Sequence, residues 1–181
     1  MAVLGMGALA CDPPGNPRPR NVYEFIEQTG GIPVHQVPAT WQALPYSRIE
    51  LDRLVGSFFE SQGPYFASIV LQRGGAAELN GTLADGREGR FTGEASIFDY
   101  VRLCQLLDEV DVGSFEADYR VDARHQEILI LRVFRGQGMR PVEVREYGKA
   151  GPASLWALHA AIDSIAHGIT WTSVPDESRA E

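Results

Sequence analysis

Lysine is almost missing from this chain: Lys149 is the only one, and fifteen arginines carry the rest of the positive charge. Against these 16 basic residues stand 24 acidic ones, for a net charge of −8. Nucleic acid needs a positive face to grip its phosphates, so this balance argues against such a partner. Cysteine is scarce too, with only Cys11 and Cys104. If Cys11 is modified, no disulfide can form within the chain. Strong catalytic signatures are also lacking: H-E-x-x-H, G-x-S-x-G and G-x-x-x-x-G-K-[ST] do not occur. What remains is 181 residues with 44% hydrophobic and 22% charged content. Those are the proportions of one globular domain, not of a disordered chain or a polytopic membrane protein.

Residues 1–10, Met-Ala-Val-Leu-Gly-Met-Gly-Ala-Leu-Ala, carry no charge. Ten apolar residues fall short of the roughly 20 that span a bilayer. They suit the apolar region of an export signal. Cys11 follows Ala8-Leu9-Ala10, where small residues would let a signal peptidase approach the backbone. The pattern resembles a lipobox, the site at which bacterial lipoproteins are cleaved and acylated on cysteine. Residues 12–20 hold four prolines in nine positions. They cannot continue a helix and read as a semi-rigid tether. Gly5, Gly7 and Ala10 also match G-x-G-x-x-A, but that dinucleotide fingerprint needs a strand before it, and only four residues precede Gly5.

Asn21 to Gln28 predicts a short helix, capped by Asn21 with Glu24 three residues on, and ended by Gly30-Gly31. A proline-punctuated connector with Trp41 follows to residue 46. Strand patterning then begins: Arg48–Leu54 alternates, Tyr65–Gln72 is rich in β-formers, and Ala76–Leu83 and Glu88–Thr92 flank an Asp85-Gly86 turn. Asn80-Gly81 carries a competing turn signal. Ser96–Val110 predicts a helix with an inner stripe of Ile97, Val101, Cys104 and Leu107. Cys104 then reads as a core hydrophobe, not a catalytic thiol. Gln126–Phe134 and Pro141–Tyr147 read as strands, and Pro152 opens a last helix that Gly168 stops.

Strands, helix, strands, helix make an α+β fold, expected as an antiparallel sheet with two helices packed on it. The expected divisions are a signal and tether over 1–20, a short helix and connector over 21–46, one α+β domain over 47–170, and a polar tail over 171–181.

This layout from Ser47 to about Gly168 resembles a bacterial domain family of unknown function, often found in predicted lipoproteins. That family carries a Cys-Phe-Gly-x-Cys-Pro-x-Tyr motif between its first strand and its meander. The matching stretch here is Phe59 to Phe66, with Pro64 kept and Phe66 in place of the tyrosine. Phe59 and Gly63 replace the two cysteines, so no redox or metal role of that pair carries over. Gly93, Asp118-Tyr119 and Ala161-Ile162-Asp163 extend the likeness. The resemblance implies a fold and a lipoprotein context, not an activity.

Charge is concentrated in one block. Asp108, Glu109, Asp111, Glu116, Asp118, Asp122 and Glu127 face only Arg120 and Arg124, a net of −5. Residues 128–149 are net +3, with Arg132, Arg135, Arg140, Arg145 and Lys149 against Glu143 and Glu146. An acidic surface of this kind can steer a basic protein partner; the competing reading is a solvated loop balanced by neighbouring arginines. The histidines are His35, His125, His159 and His167. His159 and Asp163 lie four apart on a helix, close enough to hydrogen-bond and orient a base. His125 and Glu127 share a strand side but are too few for a zinc site.

The sequence therefore points to a non-catalytic, lipid-anchored extracytoplasmic protein-binding module, of inhibitor or immunity type, that neutralises a secreted enzyme or toxin. Cys11 is the expected lipidation site on the periplasmic side of a bacterial envelope. Asp108, Glu109, Asp111, Glu116, Asp118 and Asp122 are the expected docking surface, and no catalytic residue, metal or cofactor is expected. The alternatives are an envelope hydrolase using His159 and Asp163, or a structural subunit of an envelope complex.

Overall fold

Ile49 and Leu51 are buried along Arg48–Leu54, whereas Glu50 and Asp52 on the other side of the strand are only half-buried. That period of two is what a half-buried sheet requires, and it recurs through the fold. The computed structural model describes residues 44–54, 65–122, 127–136 and 138–175. Cys11, the 21–28 helix, Trp41, His35, His125 and the Phe59–Pro64 stretch lie outside them.

Eight strands form one open sheet: β1 (Arg48–Leu54), β2 (Tyr65–Gln72), β3 (Ala76–Thr82), β4 (Glu88–Glu94), β5 (Asp118–Arg120), β6 (Ile128–Phe134), β7 (Val142–Tyr147) and β8 (Thr172–Ser173). Their order is β5-β7-β6-β1-β2-β3-β4-β8. Among the described residues two α-helices complete the α+β arrangement, α1 (Ile97–Glu109) and α2 (Ala153–Gly168), with a single 3₁₀ turn at Val112–Ser114. No helix among the described residues is long and apolar enough to cross a membrane.

The expectation of a wholly antiparallel sheet is corrected at one edge. β5 runs parallel to β7, pairing Asp118 with Arg145 and Arg120 with Tyr147. The chain leaves β5 for β6 and returns as β7 between the two, so β7 runs the same way as β5. Every other pairing is antiparallel. Buried residues also lie on both sides of the 47–170 span. Leu44 and Tyr46 are buried before residue 47, and Trp171 is buried beside β8, within the segment read as polar tail.

Asn80-Gly81 makes no turn; it lies inside β3. Gly81 instead answers a bulge in β2 between Phe66 and Ser68. Its φ of +151° and the closeness of Tyr65 O and Phe66 Cα leave no room for a Cβ. The Asp85-Gly86 signal does make the turn, with Gly86 at φ +83° and its N–H donating to Leu83 O.

Ser96 caps α1 by accepting from the Phe98 N–H, and Tyr100, Val101, Leu103, Cys104 and Leu107 are buried. Tyr100 donates to Tyr46 O at 3.2 Å, which ties α1 to the chain entering β1. α2 buries Leu155, Leu158, His159, Ile162 and Ala166. Four of these are apolar at helical spacing; His159 is the exception.

Candidate functional site

The registers of β1, β6 and β7 carry two sets of residues to opposite faces. Arg53 is level with Leu129, and Leu129 with Glu146, on the face that holds Ile49 and Leu51. Asp52, Ile130 and Arg145 form the corresponding row on the other face. Arg53 and Glu146 thus sit where the alternation Ile49-Leu51 and Val142-Val144 calls for an apolar side chain. Each is a charged group at a core position, which is the unusual feature of this sheet.

α2 supplies the opposing wall. Trp156, His159, Ala160, Asp163 and His167 fall on one helical face by their spacing. With Arg53, Glu146 and Leu129, and with Tyr65 and Phe66 of β2, they enclose a cavity of about 420 Å³. Glu127 and Lys149 complete its rim.

Glu146 is 1% exposed. Burying a carboxylate costs several kcal/mol unless hydrogen bonds replace its water. Oε1 is well supplied: the Trp156 Nε1–H donates to it at 2.6 Å and the Gly151 N–H at 2.8 Å. A Cβ at Gly151 would press on Leu155 Cδ2 and on Glu146 Oε1, so either side chain would have to shift. Oε2 has no hydrogen-bond partner and faces His159 Nδ1 at 3.4 Å. Burial lowers the His159 pKa to about 4, and the Arg53 charge pushes the same way. His159 is therefore neutral at pH 7.

The expected pairing of His159 with Asp163 gives way to two separate contacts. His159 faces Glu146, while Asp163 takes Arg53 Nη2 on both carboxylate oxygens at 2.6 Å. Arg53 Nη1–H donates to Phe66 O at 3.1 Å, and Nε lies 3.7 Å from Glu127. A planar guanidinium reaching across from the sheet outcompetes a single imidazole N–H one helical turn away. His167 Nδ1–H donates to the Asp163 carbonyl, and its ring packs against Phe66.

All six expected docking acids are exposed, but they do not form one patch. Asp108 ends α1 and accepts from the Tyr46 hydroxyl, whose pKa burial and this bond raise to about 12. Arg135 stands over the Tyr46 ring, so the cost of an acid at a helix C-terminus is offset locally. Glu109 is the last residue of α1, and Asp111 and Glu116 lie on either side of the 3₁₀ turn. Asp118 pairs with Arg120, and with Asp122 it borders a groove of about 490 Å³ on the opposite sheet face. Arg132 pairs with Glu50, Asp52 and Glu143; Arg145 pairs with Glu143 and, level with Asp118 in the sheet, also helps Arg120 to hold that carboxyl below its usual range.

Cys104 is buried, and desolvation raises its thiol pKa to about 12, as a core residue requires. Among the described residues no group of three His, Cys, Asp or Glu is arranged to hold a metal ion. Arg53, Glu146 and Trp156 were not legible as site residues from motifs. The available signal was an acid and an arginine in the apolar register of two strands.

No family model, no curated protein and no solved structure matches the chain.

Proposed function

We propose that this chain is a non-catalytic, lipid-anchored extracytoplasmic module that binds another protein, of inhibitor or immunity type against a secreted enzyme or toxin. One observation carries the reading: the groove bordered by Asp118 and Asp122 has an apolar floor. Ile128, Ile130 and Tyr147 lie along it, and Leu54 and Val121 are exposed at its side. An apolar centre with a charged rim is the layout of a protein interface. The rim itself is mixed, with Arg120 and Arg145 beside Asp118 and Asp122, and the net charge of −8 is what favours a basic partner, steered on approach. Cys11 provides the anchor, and the absence of catalytic motifs supports binding over turnover.

The test is capture from an envelope and secreted-protein extract on the immobilised chain carrying Cys11→Ser, read by mass spectrometry. A single near-stoichiometric enzyme or toxin is expected. Its on-rate should fall with salt and with Asp118→Lys plus Asp122→Lys; an on-rate indifferent to both would overturn the steering role. Palmitate labelling of the native chain, lost in Cys11→Ser, tests the anchor.

A second reading, an envelope hydrolase, is favoured by the neutral His159 facing the Glu146 carboxylate. It places Glu146, not Asp163, as the group orienting a base. Unchanged turnover in His159→Gln would remove it.

A further inference from the structure

The cavity under α2 holds a negative charge that its own residues leave unbalanced. Both donors to Glu146, the Gly151 amide and the Trp156 indole, are neutral and both bind Oε1. Oε2 is buried and makes no hydrogen bond; His159 Nδ1 faces it at 3.4 Å. Two cations line the cavity, Arg53 and Lys149. Arg53 spends its terminal nitrogens on Asp163 and Phe66 O, and Lys149 is exposed on a left-handed turn at φ +57°. His159 is neutral. Glu127 adds a further carboxylate at the rim. The rest of the wall is aromatic or apolar, from Tyr65, Phe66, Leu129, Trp156 and Ala160.

We propose that this cavity binds a small organic cation, an ammonium or guanidinium on a short apolar stem, anchored by Glu146 Oε2. Because Oε2 is closed to solvent beside His159, the imidazole must shift for an N–H of the cation to donate to it and supply the counter-charge. The stem packs on Leu129 and Ala160, and Trp156 offers its ring to the cation. An anion would meet Glu146 and Glu127, and an apolar ligand would leave Oε2 unpaired. The cation has two conceivable sources, a free amine or a Lys or Arg side chain of a protein. The site lies on the sheet face opposite the Asp118–Asp122 groove and does not rest on the protein-binding reading.

The Trp156 indole N–H reports on the site because it shares Glu146 with the ligand. Its resonance is identified among the three tryptophans by Trp156→Phe. The full chain carrying Cys11→Ser is titrated with butylammonium and with methylguanidinium, and with 1-butanol and butyrate as controls. Saturable movement with a cation is expected, at least tenfold weaker with the controls and in Glu146→Gln. No movement up to about 20 mM, where a millimolar site is more than nine-tenths filled, overturns the proposal. Equal response to butanol also overturns it, without requiring that Glu146→Gln fold. End-capped Gly-Lys-Gly and Gly-Arg-Gly separate the sources. Binding tighter than the free amine assigns the cation to a protein side chain, and weaker binding assigns it to a small amine.

Discussion

Arg53 and Asp163 stand 110 positions apart and meet with one guanidinium nitrogen 2.6 Å from both carboxylate oxygens. The contact joins the central strand β1 to α2 across the cavity. Arg53 is only 10% exposed, so it depends on this partner; Asp163 is one-third exposed and does not depend on it to the same degree.

Asp163→Ala is expected to lower stability by about 2 kcal/mol, less than the roughly 3–5 kcal/mol of a fully buried pair. Arg53→Met should cost a similar amount, and the double variant should recover part of the loss. Urea midpoints at unchanged slope measure all three. Strictly additive effects would show that the two side chains do not cooperate.

His159 should make the fold sensitive to mild acid. Its pKa is about 4 when folded and near 6.5 when unfolded, so the unfolded chain binds the extra proton between those values. Stability then rises with pH across this window. Lowering pH from 7 to 4 should remove about 3 kcal/mol through this group alone. Below about pH 3, where both states are protonated, the penalty levels off. The wild type minus His159→Gln difference in unfolding free energy, followed from pH 7 to 4, isolates it; a flat difference would place His159 in contact with water.

Cys104 should resist alkylation at pH 8 in the folded chain carrying Cys11→Ser, which then has no other thiol. Burial keeps the thiol protonated and inaccessible, and both barriers vanish on unfolding. Reaction with a thiol reagent in urea but not in buffer is the expected result. Prompt labelling in buffer would deny the core position.

Gly93→Ala should strip β8 from the sheet. A Cβ at Gly93 would strike Ile169 Cγ2 and crowd Thr170 O and Trp171. These residues lead into the two-residue β8, held to β4 at Phe91 and Thr92. A loss of about 2 kcal/mol is expected, with the Trp171 emission shifting to longer wavelength as its ring leaves the core.

Strong local signals were legible in the sequence. Ile49-Leu51 and Ile69-Leu71 alternate, Ser96 marks a cap and Pro152 precedes a helix, and each element appears within a residue or two of its expected position. β5 and β8 were not legible, because Asp118–Arg120 and Thr172–Ser173 are too short to show a period. Asn80-Gly81 misled as a turn because the same glycine freedom serves a bulge.

The amino-acid sequence by itself determined the net charge of −8, the periodicities of six strands and two helices, and the core position of Cys104. These depend on neighbours within a few residues, whose preferences and spacing are written locally. Only the tertiary structure decided that Glu146 meets His159, that Asp163 turns to Arg53, and that Asp118 and Asp122 leave Asp108 for the opposite sheet face. Those pairings follow from strand order and register, which bring together residues up to 110 positions apart and leave no periodic mark on the chain.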